Sequence, residues 1–93
     1  MKIRWLLKAE RNIEDIADYI AQDNQLAADE TIEKIRRGAE VISQHPYIGK
    51  QGRVTGTHEF VVMINYILVY RIKNNQIHIL QVLHSARQWP GGF

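Results

Sequence analysis

The chain has 93 residues, enough for one small domain, and its hydrophobic content of 45% and charged content of 24% are typical of a globular protein and exclude a disordered one. It contains no cysteine, which excludes a disulfide scaffold, a thiolate nucleophile and zinc sites built on thiolates. The N-terminal apolar run is far too short for a signal peptide or a membrane span. We therefore expect a single domain over residues 1–93, a cytoplasmic location and no membrane partner.

The net charge of +2 conceals an uneven distribution of charge along the chain. Residues 1–45 contain seven Lys/Arg and nine Asp/Glu, a net charge of −2, whereas residues 46–93 contain five Lys/Arg and one acid, Glu59, a net charge of +4. Three of the four histidines also lie in the second part. This asymmetry indicates either an anionic partner for the C-terminal half, nucleic acid or an acidic protein segment, or a chance segregation in a short chain.

The first predicted elements are a short strand and a helix. Residues 1–7 alternate apolar with mostly basic side chains, which is the period of a strand. From about residue 8 to residue 22 the period becomes helical, with charged residues opposite a single apolar stripe. The stripe consists of Ile13, Ile16, Ala17 and Ile20.

A second helix is predicted after a three-residue polar link, in which either Asp23 or Asn24 is suited to cap it. The helical period runs from about residue 26 to residue 44, with apolar positions spaced alternately by four and three residues. Pro46 keeps His45 out of helical geometry and ends the helix. So short a link predicts that the two helices form an antiparallel hairpin.

Residues 45–57 are rich in proline and glycine and predict a loop. Beyond the loop the hydrophobic period is that of strands. The predicted strands comprise residues 58–63, 66–72 and 76–84. Asn74 and Asn75 predict a two-residue hairpin turn, because asparagine tolerates positive φ, and Ile64 with Asn65 predicts the earlier turn.

The predicted element order is therefore β-α-α-β-β-β. Strands joined by short turns run antiparallel, so we expect an antiparallel sheet. The N-terminal helical hairpin would pack on one face of that sheet, which makes the fold α+β. The other face would carry the basic, histidine-bearing strands.

Four strings along the chain resemble those of one toxin family. They are His45-Pro46-Tyr47-Ile48-Gly49, Gly52-Arg53-Val54-x-Gly56-x-His58-Glu59, Tyr66-Ile67-Leu68-Val69-Tyr70-Arg71, and Val82-Leu83-His84-x-x-Arg87-Gln88-Trp89-Pro90. In order and spacing they resemble RelE/ParE toxins of type II toxin–antitoxin systems over nearly the whole chain. The resemblance implies growth inhibition, plasmid stabilisation and a hetero-oligomer with a cognate antitoxin.

The resemblance favours the ParE-like branch, whose members inhibit DNA gyrase, over the RelE-like branch, whose members cleave mRNA on the ribosome. In RelE-like nucleases the third-strand motif carries an arginine that contacts the scissile phosphate, and Ile67 stands in that place here. The tail from Leu83 to Pro90 also looks like ParE-type sequences. The resemblance thus implies an inhibitor whose target is DNA gyrase. The alternative is a ribosome-dependent mRNA interferase, an endoribonuclease whose partners are the ribosome and mRNA.

Cleavage of RNA through the 2′-hydroxyl needs a base, an acid and cations that stabilise the developing charge. The candidates for these roles are Arg53, Glu59, Arg71, His84 and Arg87. Glu59 is equally suited to pair with Arg53 or Arg71, and His84 to a structural hydrogen bond. No cofactor is predicted, and the four histidines lack the spacing of metal ligands.

Two sets of binding residues follow from the resemblance. The predicted target-binding residues are Arg53, Arg71, His84, Arg87 and Trp89. The predicted antitoxin-binding residues, which also suit the core, are Trp5, Ile13, Ile16, Ile20 and Ile35, because these antitoxins lay an amphipathic helix in a groove. Trp89 is expected to pack on the sheet and Phe93 to be exposed. A third possibility is a plain binding module for nucleic acid or protein, in which Tyr66 and Tyr70 stack on bases.

Overall fold

The computed structural model describes residues 1–85, and within them the α+β prediction is confirmed. Two helices and five strands follow one another in the order β-α-α-β-β-β-β. The helices are α1 (Leu7–Ala21) and α2 (Gln25–Gln44). The strands are β1 (Lys2–Trp5), β2 (Lys50–Gln51), β3 (His58–Met63), β4 (Tyr66–Lys73) and β5 (Gln76–His84). No helix in this part of the chain is both long enough and apolar enough to cross a membrane.

The five strands form one sheet in the order β1-β5-β4-β3-β2. β3 pairs antiparallel with β4, and β4 with β5, as predicted, and the short strand β2 pairs antiparallel with β3. β1 instead runs parallel to β5, with Ile3 opposite Ile77, so the sheet is mixed and the expectation of a wholly antiparallel sheet is corrected. Short turns fix the relative direction of β3, β4 and β5 only, whereas β1 reaches the sheet through the two helices. The short strand β2, at the other edge, lies inside the segment predicted as loop.

Turn and cap residues behave as their chemistry predicts. Asn74 and Asn75 have φ angles of 53° and 59°, the left-handed conformation of a two-residue hairpin turn. The Asn24 side chain accepts a hydrogen bond from the Ala27 amide at 3.0 Å, which caps α2. α2 ends at Gln44, two residues before the proline.

The core lies between the helical hairpin and one face of the sheet. Its buried aliphatic and aromatic side chains alternate along each strand with residues of the opposite face. The core consists of Ala9, Ile13, Ile35, Ala39, Ile42, Leu68, Tyr70, Ile77, Ile79 and Val82, with Ile3, Trp5, Ile16 and Ile32 among the residues partly buried against it.

Arg36 joins three elements on the outer side of this core. Its guanidinium donates two hydrogen bonds to the Glu10 carboxylate, at 2.7 and 3.1 Å, which links α2 to α1. The same group lies 4.5 Å from the centre of the Trp5 ring on β1, within the range of a cation–π contact. The hydrogen bonds from Arg36 outweigh partial burial and hold the pKa of Glu10 below its ordinary value.

The close approach of α2 to the sheet depends on Gly38. A Cβ atom built on this residue would lie 2.2 Å from Cγ1 of Val62 on β3. A methyl group at that position therefore has no room unless the helix or the strand moves.

We expect Gly38→Ala to lower the free energy of unfolding by about 1–2 kcal/mol, because overpacking costs about 1–3 kcal/mol and alanine returns up to about 1 kcal/mol of helix propensity. Urea denaturation measures the change. The same substitution in a Val62→Ala background removes the contact with Cγ1, although Cβ of residue 62 remains 3.0 Å away, and should cost clearly less stability. An equal loss in both backgrounds would contradict the assignment.

The loop that follows α2 is fixed by Tyr70, which is fully buried on β4. Its hydroxyl donates to the Pro46 carbonyl at 2.7 Å and accepts from the Gly49 amide at 3.0 Å. Its ring stacks on that of His58, with 5.1 Å between ring centres. Burial raises the pKa of Tyr70, so the hydroxyl keeps the proton that it donates.

Tyr70→Phe should cost about 1–3 kcal/mol of stability, because it leaves a carbonyl and an amide of the loop without their partner. The matched control is Tyr47→Phe, since Tyr47 is 74% exposed and its ring contacts the same histidine. Thermal denaturation of both variants checks the prediction. Equal stability of the two would show that the buried hydroxyl does not hold the loop.

Candidate functional site

The face of the sheet that points away from the helices, called the open face here, carries Glu59, Ile67 and Arg71 of the residues singled out in the sequence. Its residues are identified by strand alternation, because their neighbours on each strand point into the core. The open face consists of Lys2 and Arg4 on β1, Gln76, His78, Leu80, Gln81 and Leu83 on β5, Ile67, Val69, Arg71 and Lys73 on β4, Glu59 and Val61 on β3, and Lys50 on β2.

The centre of the open face is aliphatic. Ile67, Val69 and Leu83 form a second buried cluster, with Leu80 packed against it. Ile67 is 9% exposed. The position at which the resemblance would place a phosphate-binding arginine in a nuclease is therefore part of a packed apolar cluster.

One side of this cluster carries the pair formed by Glu59 and Arg53. Oε2 of Glu59 accepts hydrogen bonds from the backbone amide of Arg53 at 2.9 Å and from its Nε at 3.2 Å. Oε1 of Glu59 accepts a third from a terminal nitrogen of the same guanidinium, also at 3.2 Å. The Glu59 side chain is 1% exposed, while that of Arg53 is 46% exposed. Burial by itself raises the pKa of Glu59, but the hydrogen bonds and charge of Arg53, with the charge of Lys50, lower it overall. This confirms the pairing considered for Glu59 and shows that the carboxylate holds the loop before β3.

Arg71 lies two residues beyond the cluster on β4 and contacts β5. Its Nε atom donates to Nδ1 of His78 at 3.2 Å. His78 is 6% exposed, and Nε2 of its ring lies 3.3 Å from Oε1 of Gln76. Burial of the ring and the positive charges of Arg71, Arg4 and Lys73 all lower the pKa of His78. His78 was not among the predicted site residues, because its role depends on the register between β4 and β5.

His84 is not brought together with Arg71. It lies opposite Tyr66 with its ring edge-on to the tyrosine at 5.5 Å, and Tyr66 packs against the core on the helix side of the sheet. The reason is a bulge in β5: Tyr70 pairs with Ile79 and Val69 with Gln81, so Leu80 is an extra residue. One extra residue moves everything beyond it to the other face of the sheet.

Tyr66 and Tyr70 lie on the same face of β4, and it is the helix-facing side. Tyr70 is completely buried. Stacking of bases on Tyr70, considered under the third possibility, is therefore excluded by its position. The histidines on strands were expected on the open face, and among the three only His78 lies there. His58 stacks on Tyr70 and therefore lies on the helix-facing side, as His84 does.

The residues predicted to bind an antitoxin lie on the helical side. Ile13 and Ile35 are in the core, at 5% and 0% exposure. Trp5 lies beneath Arg36, and Ile16 and Ile20 are partly buried. Ile13 also belongs to the floor of an open groove of about 610 Å³ between α1 and α2. The groove has an apolar floor and an acidic rim, and is lined by Ile13, Glu14, Ala17, Asp18, Asp29, Ile32 and Glu33.

The predicted site residues Arg87 and Trp89, and the expectation for Phe93, lie outside the described residues 1–85. Conversely, the structure brings Lys2 and Arg4 to the open face, which the sequence reasoning did not include. The alternation of these two cations with Ile3 and Trp5 was the available signal, because it places both on one side of β1.

The residues considered for catalysis have different surroundings. The carboxylate of Glu59 is buried and paired with Arg53, and Arg71 donates to His78 on β5. His84 lies on the helix-facing side of the sheet. A base, an acid and a charge-stabilising cation must surround one reacting group. Within residues 1–85 the candidates named for those roles do not converge in this way.

Comparison with known proteins agrees with this fold. The sequence profile of one family, described as the ParE toxin of the type II toxin–antitoxin system parDE, matches residues 3–89. The protein Y4kP of Sinorhizobium fredii is 37% identical over 90 residues, which cover 96% of this chain and 93% of that protein. The toxin RelE2 of Caulobacter vibrioides is 28% identical over 86 residues, covering 92% of this chain and 97% of that protein.

Solved structures share the architecture. A chain of the chromosomal ParDE system from P. aeruginosa superposes with a TM-score of 0.82 at 20% identity, covering 90% of this chain and 95% of that one. A chain of the RelBE2 toxin–antitoxin complex from Mycobacterium tuberculosis gives a TM-score of 0.66 at 24% identity, covering 89% and 95%. Given the match of the family profile to almost the whole sequence, the chain belongs to the ParE toxin family of type II toxin–antitoxin systems.

Proposed function

We propose that this toxin inhibits DNA gyrase by binding through the open face of its sheet, and that a cognate antitoxin neutralises it. The observation that carries the proposal is the burial of Ile67. Its side chain packs in the apolar centre of the open face, at the position where a ribosome-dependent nuclease would need a cation. Membership of the ParE family supports the same target. Gyrase and its DNA are cytoplasmic in bacteria, so the proposal includes that location.

The state of Glu59 supports an inhibitor that acts by binding. A general base must reach the proton it removes, at a hydrogen-bond distance of about 2.6–3.2 Å. The Glu59 carboxylate is almost inaccessible, and both of its oxygens accept hydrogen bonds from Arg53. A proton-abstracting role would require this pair to open, at the cost of an unpaired buried charge.

An antitoxin partner is supported by the relatives, since the structural neighbours from P. aeruginosa and M. tuberculosis are described as toxin–antitoxin systems. The groove between α1 and α2 supplies a suitable surface: an apolar floor with Ile13 and Ile32, and an acidic rim. An antitoxin helix with an apolar face and basic flanks would complement it. Trp5, Ile16 and Ile20 are partly accessible and extend the proposed contact, whereas Ile35 would support it from the core.

A second candidate is a ribosome-dependent mRNA interferase, which is favoured by the 28% identity to the Caulobacter toxin RelE2. Pulse-labelling of bacteria after induction of the toxin alone distinguishes the two. Gyrase inhibition stops thymidine incorporation first and induces DNA damage, whereas an mRNA interferase stops amino-acid incorporation first. Growth unaffected by the toxin would contradict both candidates, and restoration of growth by the co-expressed antitoxin tests the proposed partner.

We expect Arg71→Ala to weaken inhibition of gyrase supercoiling about tenfold or more, the effect of losing a contact worth about 1.4 kcal/mol. The assay uses purified toxin, gyrase, ATP and relaxed plasmid. Arg37→Ala is the matched control, because Arg37 is an exposed arginine on α2 whose salt bridge within residues 1–85 is with Glu33 on the same helix. Relaxation of the same plasmid by a type I topoisomerase shows whether inhibition acts on gyrase or on DNA alone. Unchanged inhibition by the Arg71 variant, in a folded protein, would contradict the proposed binding face.

Glu59→Gln separates the structural role of this carboxylate from a catalytic one. Glutamine keeps the shape and still accepts the Arg53 amide, so toxicity should change by less than about threefold, whereas loss of a general base costs on the order of a hundredfold or more. Growth inhibition at matched expression is the measurement. A collapse of toxicity with an intact fold would favour the nuclease.

The same variant should change the pH dependence of stability. The pKa of Glu59 is lowered in the folded chain, so its ionised form stabilises the fold above the ordinary value of 4.5, and that contribution is lost as the pH falls through the folded pKa. Denaturation at neutral pH and at steps below this value should show a smaller acid destabilisation for Glu59→Gln than for the unmodified chain. Identical pH profiles would contradict the ion pair.

A further inference from the structure

Four cations meet at one end of the open face, and neither the family assignment nor the proposed function gives them a role as a group. Two residue rows cross three adjacent strands there. In the first row Lys2 on β1 and Lys73 on β4 lie on either side of Gln76. In the second row Arg4 on β1 and Arg71 on β4 lie on either side of His78. The cationic cluster consists of Lys2, Arg4, Arg71 and Lys73.

The dimensions of the cluster follow from sheet geometry. Neighbouring strands are about 4.8 Å apart, so the two cations of one row start about 10 Å from each other across β5. Residues two apart on a strand are separated by about 7 Å, which is the distance between the rows. The four side chains thus rise from the corners of a rectangle rather than converging on one point, and they fit an extended anion better than a single small one.

The cluster has no counter-charge in the described part of the chain. The salt bridges within residues 1–85 join Arg36 to Glu10, Arg37 to Glu33 and Arg53 to Glu59, and none involves a cation of the cluster. His78 stands at the centre with its pKa lowered by burial and by three of these cations. The acidic residues of the chain lie mainly on the helices, behind the sheet. Within residues 1–85 no acid neutralises the charge of these four side chains, so it can attract an external anion, while the Nε atom of Arg71 also donates to His78.

We propose that the cationic cluster binds the phosphate backbone of duplex DNA. An acidic peptide added as a strand along β1 would lie next to Lys2 and Arg4 but would not reach the β4 cations two strands further in. Single-stranded RNA is usually held by bases stacked on exposed aromatic rings, whereas the open face within residues 1–85 has no Phe, Tyr or Trp, and its His78 is only 6% exposed. A ligand that lies across the sheet and presents regularly spaced charges without stacking fits the backbone of a duplex.

This inference does not depend on gyrase as the target, because the contact is made by the toxin itself. Phosphate contacts carry no sequence preference, so binding should be equal on duplexes of different sequence. It should also depend steeply on salt, because each neutralised phosphate releases counterions.

The test is fluorescence anisotropy of a labelled duplex of roughly 20 base pairs with the full chain, free of antitoxin, at salt concentrations from about 50 to about 200 mM. Four phosphate contacts at about 0.9 each predict a logarithmic salt slope of about −3.6, an affinity loss of about 150-fold over that range. The double variant Lys2→Ala, Arg4→Ala should give a slope of about −1.8, a loss of about 12-fold. Lys73→Gln, at the exposed end of β4, should independently reduce the slope by about 1.

The matched control is Arg11→Ala, Lys34→Ala, which removes one exposed arginine and one exposed lysine from the helices and changes the net charge equally. It should retain the slope of the unmodified chain. Lys2→Arg, Arg4→Lys keeps both charges and should also retain it, which separates loss of charge from damage to β1. Circular dichroism verifies that each variant is folded.

Three outcomes would overturn the proposal. The first is a salt slope near zero for the unmodified chain, and the second is an equal loss in the helix control and in the β1 variant. The third is that polyglutamate or single-stranded RNA binds more tightly than the duplex and that this binding depends on Lys2 and Arg4. Tighter binding of polyglutamate would assign the cluster to an acidic protein segment, and tighter binding of the RNA would assign it to RNA. If the toxin binds the duplex but does not inhibit gyrase, the proposed target is rejected, and the assignment of the cationic cluster to duplex DNA stands.

Discussion

The parallel pairing of β1 with β5 is the constraint on which the rest of the structure depends. It places the first strand beside the last, and so sets the sheet order in which β5 and β4 lie at the centre. It also brings Ile3 and Trp5 into the core, where Trp5 meets Arg36 of α2 and couples the helical hairpin to the sheet. Because strand residues alternate, burying Ile3 and Trp5 forces the intervening Arg4 to the open face.

The open face is polar at its borders and apolar at its centre, and each part has a distinct physical origin. The centre is closed by Ile67, Val69 and Leu83, which pack on each other. On one side, the buried Glu59 is tolerated because Arg53 supplies both charge and hydrogen bonds. At the other end, cations stand close together without acids in the described part of the chain. Within residues 1–85 the open face therefore combines an apolar centre, a neutralised ion pair and a group of cations that no acid neutralises.

Local signals in the sequence were sufficient for most of the fold. The bounds of β3 and β5 agree with the change of hydrophobic period, and Asn24, Asn74 and Asn75 occupy the cap and the turn that their side chains favour. The direction of β1 was not predictable, because no turn connects it to its neighbour and both directions satisfy the same alternation. β2, with two residues, is too short to show any period.

The candidate site was predicted less completely, and one residue accounts for much of the difference. Without the bulge at Leu80, simple alternation along β5 would place His78 and His84 on the same face. The extra residue places the two histidines on opposite faces of the sheet, and the local sequence contains no signal that predicts it. The partnership of Glu59 with Arg53 was foreseeable from opposite charge and proximity in sequence, whereas the meeting of Lys2 with Lys73 requires the pairing of the first strand with the last.

The pairing of β1 with β5 also has a consequence for synthesis of the protein. While the chain emerges from the ribosome, the helical hairpin can form early, but β1 has no partner strand until residues 76–79 have left the exit tunnel. Until then Ile3 and Trp5 remain without their cover, and the two halves of the basic surface stay apart. The two halves of the basic surface therefore come together only after β5 has been synthesised.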